Sequence, residues 1–204
     1  MKAERPLLEW SVATRTMSGE TECGDAHLVV ESPGGALVAV VDGLGHGGEA
    51  AVAAREAVAT LTQHADEPVV PLLERCHAQL RATRGVVMTL AAFREVDATM
   101  TWLAVGNVEG FLLRASTAAI PARESVLLRG GVVGYEIPPL RAATHHVAAG
   151  DTLVLATDGI RTAFADGLEV ASPPREMAAG ILARHAKDTD DALVLVARWL
   201  GTAA

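Results

Sequence analysis

Apolar residues in this chain fall mostly into short runs of valine, leucine and alanine, each stopped by glycine, aspartate or proline. The run over 36–41 has no polar member, which predicts a strand covered on both faces. Residues 7–16 alternate loosely, with Leu7, Trp10 and Val12 set against Glu9, Ser11 and Arg15, as in a strand with one covered face. A second strand is expected over 26–31. The turn residues Ser32-Pro33-Gly34-Gly35 join it to the 36–41 run, so the three read as an antiparallel meander. Two stretches, 49–63 and 68–81, read as helices: Pro68 and Pro71 suit a helix start, and Ala51, Val52, Val58 and Leu61 make a buried stripe.

Further strands are expected over 86–93, 99–105, 110–114, 125–128, 144–147, 152–157 and 192–199, with a short helix over 160–165. Residues 130–140, with three glycines and Pro138-Pro139, form the longest irregular segment. Many strands with helices grouped in pairs predict an α+β fold of two packed sheets with helices outside.

Composition narrows the function classes. At 204 residues the prior is a single domain over 1–204, and 50% hydrophobic with 21% charged residues describes a globular chain. Only 3% is aromatic, so valine, leucine and alanine must fill the core. A net charge of −8 argues against nucleic acid, which needs a basic face. The start MKAERPLLEWS lacks a long apolar segment and no run approaches the ~18 residues of a membrane helix, so no membrane association and a cytoplasmic location are expected. Cys23 and Cys76 form neither a C-x-x-C motif nor a disulfide framework and read as small core residues in a reducing compartment.

The candidate chemistry lies where strands end. The 36–41 run delivers Asp42 to a sheet edge, and Gly43, Gly45, Gly47 and Gly48 let a ligand come close to the backbone. Gly43, Gly45 and Gly48 also satisfy the G-x-G-x-x-G spacing of a dinucleotide turn, but an ionised Asp42 before the first glycine would repel pyrophosphate unless a cation intervened. Leu153-Val154-Leu155-Ala156-Thr157-Asp158-Gly159 repeats the device, and Asp188-Thr189-Asp190-Asp191 runs into the last strand. Adjacent carboxylates at the mouth of a buried strand repel one another unless solvated or neutralised by a cation. Asp25, at the edge of the second strand, either lies near Asp42 across the meander or is an ordinary turn aspartate.

Asp42-Gly43 with its glycine-rich continuation, Thr157-Asp158-Gly159, and Asp190-Asp191 before a final apolar strand stand in an order that resembles metal-dependent protein phosphatases of the PP2C type. Gly24-Asp25-Ala26 and Val105-Gly106-Asn107-Val108-Glu109 also fall at motifs of that family. The chain is similar to its small bacterial SpoIIE-like branch and, in length, to RsbX-type stress-response phosphatases. The resemblance implies a four-layer αββα sandwich of two antiparallel β-sheets with two Mn²⁺ or Mg²⁺ ions between them. It implies that Asp42 bridges both ions, that the Gly43 carbonyl helps hold one, and that Asp158 and Asp190 hold the other. Asp191 takes a place where larger relatives have Asn, so it reads as a neighbour of the ligand, with the register between Asp190 and Asp191 open by one.

The donor set suits a hard cation, because carboxylates are present without a His/Cys cluster of zinc spacing. Two ions ~3.5–4 Å apart can lower the pKa of a bridging water and stabilise charge on a phosphoryl group. His46, four positions after Asp42, reads either as the proton donor to the leaving oxygen or as an exposed loop histidine. Three departures from the larger relatives stand out: Gly24 where they carry a glutamate, no arginine in Gly19-Glu20-Thr21-Glu22, and too little length for a flap over the site. The expectation is a serine/threonine phosphatase acting on a phosphorylated STAS-domain signalling protein of the stressosome. The rival reading is a phosphatase-like module that docks a partner without turnover.

Overall fold

The computed structural model describes residues 5–168 and 170–201. The first four and last three residues, included in the readings of the N-terminus and of a 1–204 domain, lie outside the described residues. The elements run β1 (Leu8–Arg15), β2 (Asp25–Ser32), β3 (Gly35–Gly43), α1 (Gly48–Gln63), α2 (Val69–Gln79), β4 (Val86–Arg94), β5 (Thr99–Val105), β6 (Glu109–Leu113), β7 (Arg123–Ser125), β8 (Ala143–His146), β9 (Thr152–Ala156), α3 (Pro174–His185) and β10 (Ala192–Trp199). They build two five-stranded sheets, ordered β1-β10-β9-β6-β7 and β2-β3-β4-β5-β8, antiparallel throughout.

Three apolar layers define the architecture. The inner faces of the two sheets meet through Val38, Val40, Trp102, Leu155, Leu195 and Trp199, among others, with Phe93 and Trp199 stacked at a centroid distance of 5.6 Å. Leu37, Ala39 and Val41, pointing the other way along β3, pack under α1 and α2 with Ala54, Leu61 and Leu72. Val194 and Val196 of β10 pack under α3 with Ala178 and Ile181. Central strands covered on both faces therefore read as unbroken apolar runs, because alternate side chains enter different cores. The result is the expected four-layer αββα sandwich.

Several expectations need correction. β1 does not join the β2–β3 hairpin; it pairs with β10 in the other sheet, Leu8 opposite Trp199. The meander is β2-β3-β4-β5 instead. Within β1 it is Leu8 that is buried, while Trp10 is exposed and leans on His27. Val52 is 44% exposed, and the buried face of α1 is built from Ala50, Ala51, Ala53, Ala54, Ala57 and Leu61. Alanines on that face let the helix lie close to the sheet, and they carry too little hydropathy to mark the stripe in sequence. The expected helix over 160–165 is a 3₁₀ segment, Thr162–Gly167. The 125–128 strand is Arg123–Ser125. α3 was not expected from the sequence; so one helix covers β10, while a pair covers the other sheet.

Candidate active site

Both sheets present an aspartate-glycine step at the same end of the sandwich, and close backbone packing explains each glycine. A Cβ on Gly43 would stand 2.2 Å from the Ala50 carbonyl oxygen, and one on Gly159 would stand 1.8 Å from that of Asp191. Only glycine allows α1 and the start of β10 to approach this closely, which holds Asp42 and Asp158 where their strands finish.

Asp25 lies directly opposite Asp42 in the β2–β3 register, and its carboxylate accepts a 2.7 Å hydrogen bond from the Thr157 hydroxyl in the other sheet. That hydroxyl in turn accepts from the Leu193 N–H at 2.9 Å, so Thr157 ties the two sheets together at the site. Asp158 accepts a hydrogen bond from the Asn107 side-chain amide at 2.9 Å, and its carbonyl accepts one from the Lys187 ammonium at 2.5 Å. Asp190 accepts the Asp191 N–H through one oxygen at 2.9 Å.

The open choice between Asp190 and Asp191 narrows on hydrogen bonding. Asp191 is only 3% exposed, and its two oxygens accept the Met17 N–H at 2.7 Å and the Gly24 N–H at 2.6 Å. It clamps the β1–β2 connection and has both oxygens engaged. Asp190 and Asp191 both raise Asp25 and Asp42, so hydrogen bonding alone separates the pair.

Burial and mutual repulsion dominate the electrostatics. Asp42 is pushed up to about 9, first by burial and then by Asp25, Asp158, Asp190 and Asp191. Asp25 is pushed up to about 7 by burial and by Asp191, Asp190 and Asp158, against the opposing Thr157 hydrogen bond. Asp190 is raised as well, by burial and Asp158, with Lys187 opposing. Such a cluster binds either protons or a cation. Among the described residues no three His, Cys, Asp or Glu side chains are grouped so that they could hold a metal ion by themselves. The oxygen donors present suit a hard divalent ion that keeps much of its water and takes few carboxylates. Cys23 beside it offers no soft ligand, since burial, with the charges of Asp25 and Asp191, pushes its thiol up to about 12.

His46 is exposed on the turn between β3 and α1, and its Nδ1 lies 2.6 Å from the Glu20 carboxylate. That contact engages Nδ1 and not Nε2. The Gly24 departure also has a structural cause: a Cβ there would stand 2.9 Å from that of Ala50, so α1 occupies the space a longer side chain would need. Sequence reasoning passed over Glu20 and Lys187; a lysine immediately before the 188–191 acidic run was the available signal for the latter.

The model of the family described as stage II sporulation protein E (SpoIIE) matches residues 32–200. Phosphoserine phosphatase RsbX of Bacillus subtilis (strain 168) is 26% identical over 144 residues, covering 70% of this chain and 69% of its own. A solved chain from work on the bacterial stressosome, described as a modular system adapted to control secondary messenger signalling, superposes with a TM-score of 0.85 at 32% identity, covering 94% of this chain and 99% of that one. RsbX in complex with magnesium superposes with a TM-score of 0.82 at 21% identity over 97% of this chain and 98% of its own, which speaks to the fold.

Proposed function

We propose that this chain, which belongs to the SpoIIE family and has the PP2C fold, is a divalent-metal-dependent phosphatase that removes phosphate from serine or threonine of a signalling protein. The observation that carries the reading is the meeting of Asp25, Asp42, Asp158 and Asp190, with Asp42 pushed up to about 9 by burial and by the other carboxylates. In this reading Asp42, the Gly43 carbonyl, Asp158 and Asp190 hold two Mn²⁺ or Mg²⁺ ions, Asp25 stands beside them, and Asp191 shapes the loop. Bound ions would supply the charge that acidifies a water and neutralises the phosphoryl oxygens.

The protein's own groups do the rest. Asn107 orients Asp158, and Thr157 holds Asp25 facing Asp42. Glu20 anchors His46 through Nδ1, so Nε2 can deliver a proton to the departing serine or threonine oxygen.

The proposed substrate is a phosphorylated STAS-domain protein of the stressosome, in the cytoplasm. Support comes from the RsbX relative and from the stressosome chain at 32% identity; no helix among the described residues is long and apolar enough to cross a membrane. With no arginine in 19–22, remote contacts must supply binding energy, and the segment 130–140 is the proposed contact. A net charge of −8 gives no long-range attraction to an acidic phosphoprotein, so binding depends on short-range fit. The test is phosphate release from an intact phosphorylated STAS protein and from a phosphopeptide carrying its site, each with Mn²⁺, Mg²⁺ or EDTA. Metal-dependent release with kcat/KM higher for the intact protein supports the proposal. Equal values would remove the docking element, and no release under any condition would favour a partner-binding module without turnover.

A further inference from the structure

Lys187 is the one lysine among the described residues, and the chain around it is pinned against the turn that carries Asp158. Ile160 and Ala186 form an isolated β-bridge, and the Arg161 N–H donates to the His185 carbonyl at 2.8 Å. The Lys187 N–H donates to the Gly159 carbonyl at 2.7 Å, while its own carbonyl accepts a hydrogen bond from the Arg15 guanidinium. With the backbone fixed in this way, the side chain reaches the same turn, where its ammonium donates to the Asp158 carbonyl at 2.5 Å.

The charge of that ammonium is not spent on one partner. Among the described residues it forms no ion pair with a carboxylate, and the adjacent Asp188 is already paired with Arg15 at 3.1 Å. It acts instead on two carboxylates that burial raises, Asp190 and Glu109, opposing the rise at both. Glu109 starts β6 opposite Ala156, two residues before Asp158. A fixed positive charge therefore stands on the Asp158–Asp190 side of the cluster, whereas burial and the carboxylates of Asp25, Asp158, Asp190 and Asp191 dominate at Asp42. A lysine presents a compact point charge, and a covalently tethered one cannot exchange with solvent. Like charges in a partly buried site raise one another's energy, so an ammonium there opposes a divalent ion that uses the same carboxylates.

We infer that Lys187 is a built-in counter-ion of the Asp158–Asp190 side, whose fixed charge weakens divalent-ion binding there and sets the ion concentration the site requires. The inference rests on the metal-dependent reading above. It is tested by calorimetric titration of Mn²⁺ into the metal-free protein at pH 8. Lys187→Met, which keeps an unbranched stem and removes the charge, should bind Mn²⁺ about fivefold tighter or more, or take up an additional ion. Lys187→Arg, which keeps the charge, should bind within about twofold of the wild type. In EDTA, Lys187→Met should have the lower urea midpoint, because the counter-ion and its hydrogen bond are both lost. Removal of the charge therefore destabilises the metal-free protein while raising its affinity for the ion; a lysine with a purely structural role would loosen the ion site when removed. Equal or weaker Mn²⁺ binding by Lys187→Met, or a Lys187→Arg that binds as tightly as Lys187→Met, overturns the inference and leaves the metal site standing. Binding by Lys187→Met but not by the wild type supports it and sinks the metal-dependent reading of the natural chain. Absence of binding by both proteins sinks the two together.

Discussion

The two aspartate-glycine steps look alike in sequence and are wired differently. At the end of β9, Asp158 accepts a hydrogen bond from Asn107, and its backbone is held by Lys187. At the end of β3, Asp42 faces Asp25 and, among the described residues, accepts no hydrogen bond on its side chain. One end has internal polar support, and the other has its charge left over. An uncompensated buried carboxylate is destabilising unless it is protonated or paired, so the β3 end is where a cation is most needed. The difference teaches that a motif marks the place of a charge, while the neighbours decide what the charge requires.

Substitution at the two ends should separate chemistry from stability. Asp42→Asn and Asp158→Asn should each reduce turnover to background, because each removes a proposed metal ligand. They should differ in metal-free buffer. Asp42→Asn relieves repulsion and should unfold at the same or higher urea concentration than the wild type, whereas Asp158→Asn, which weakens a made hydrogen bond, should not gain. Wild-type rates in either variant would misplace the site.

Asp191 gives the next largest effect and the opposite sign. Asp191→Ala leaves the Met17 and Gly24 N–H groups without their acceptor and should cost roughly 2–4 kcal/mol in urea unfolding. A change under about 0.5 kcal/mol would mean that the clamp is not made in solution.

The pH dependence of the metal-free protein sharpens the comparison further. Asp25 and Asp42 are raised from the ordinary 3.8 to about 7 and about 9, so the folded state holds protons that the unfolded chain releases. Their contribution is complete below about pH 4 and is lost as pH rises through about 7 and then about 9. In EDTA, urea midpoints should therefore fall between pH 5 and pH 9. With Mn²⁺ the decline should shrink or reverse, because the ion binds the deprotonated carboxylates. A flat profile in EDTA would show that the cluster is already solvated. The smallest effect belongs to Lys187→Met, which removes one hydrogen bond to the Asp158 carbonyl and should cost about 0.5–1.5 kcal/mol.

Much of this was legible in the chain because the central strands are covered on both faces, so 36–41 and 192–197 appear as unbroken apolar runs, the first ending and the second starting beside an aspartate. The order of the acidic motifs identified the family by resemblance before the two ends were seen to meet. What stayed hidden depended on distant partners. β1 carries no mark saying that it pairs with β10 and not β2, since either neighbour would cover one face of it. α3 has buried residues Met177, Ala178 and Ile181 amid Arg175, Glu176, Arg184 and His185, and its weak apolar face did not stand out. The role of Asp191 could not be read at all, because its hydrogen-bond partners lie 167 and 174 residues away.

The central claim, that the leftover charge at Asp42 is there to hold a divalent cation, is tested most directly by thermal unfolding of the wild type and Asp42→Asn at pH 8, each in EDTA and in Mn²⁺. At an ion concentration about 100 times Kd, binding contributes about 2.7 kcal/mol, which for a chain of this length raises Tm by roughly 5–10 °C. The account predicts that rise for the wild type, little or none for Asp42→Asn, and a Tm for Asp42→Asn in EDTA at or above that of the wild type. A wild-type Tm indifferent to Mn²⁺, with Asp42→Asn the less stable protein in EDTA, would contradict it.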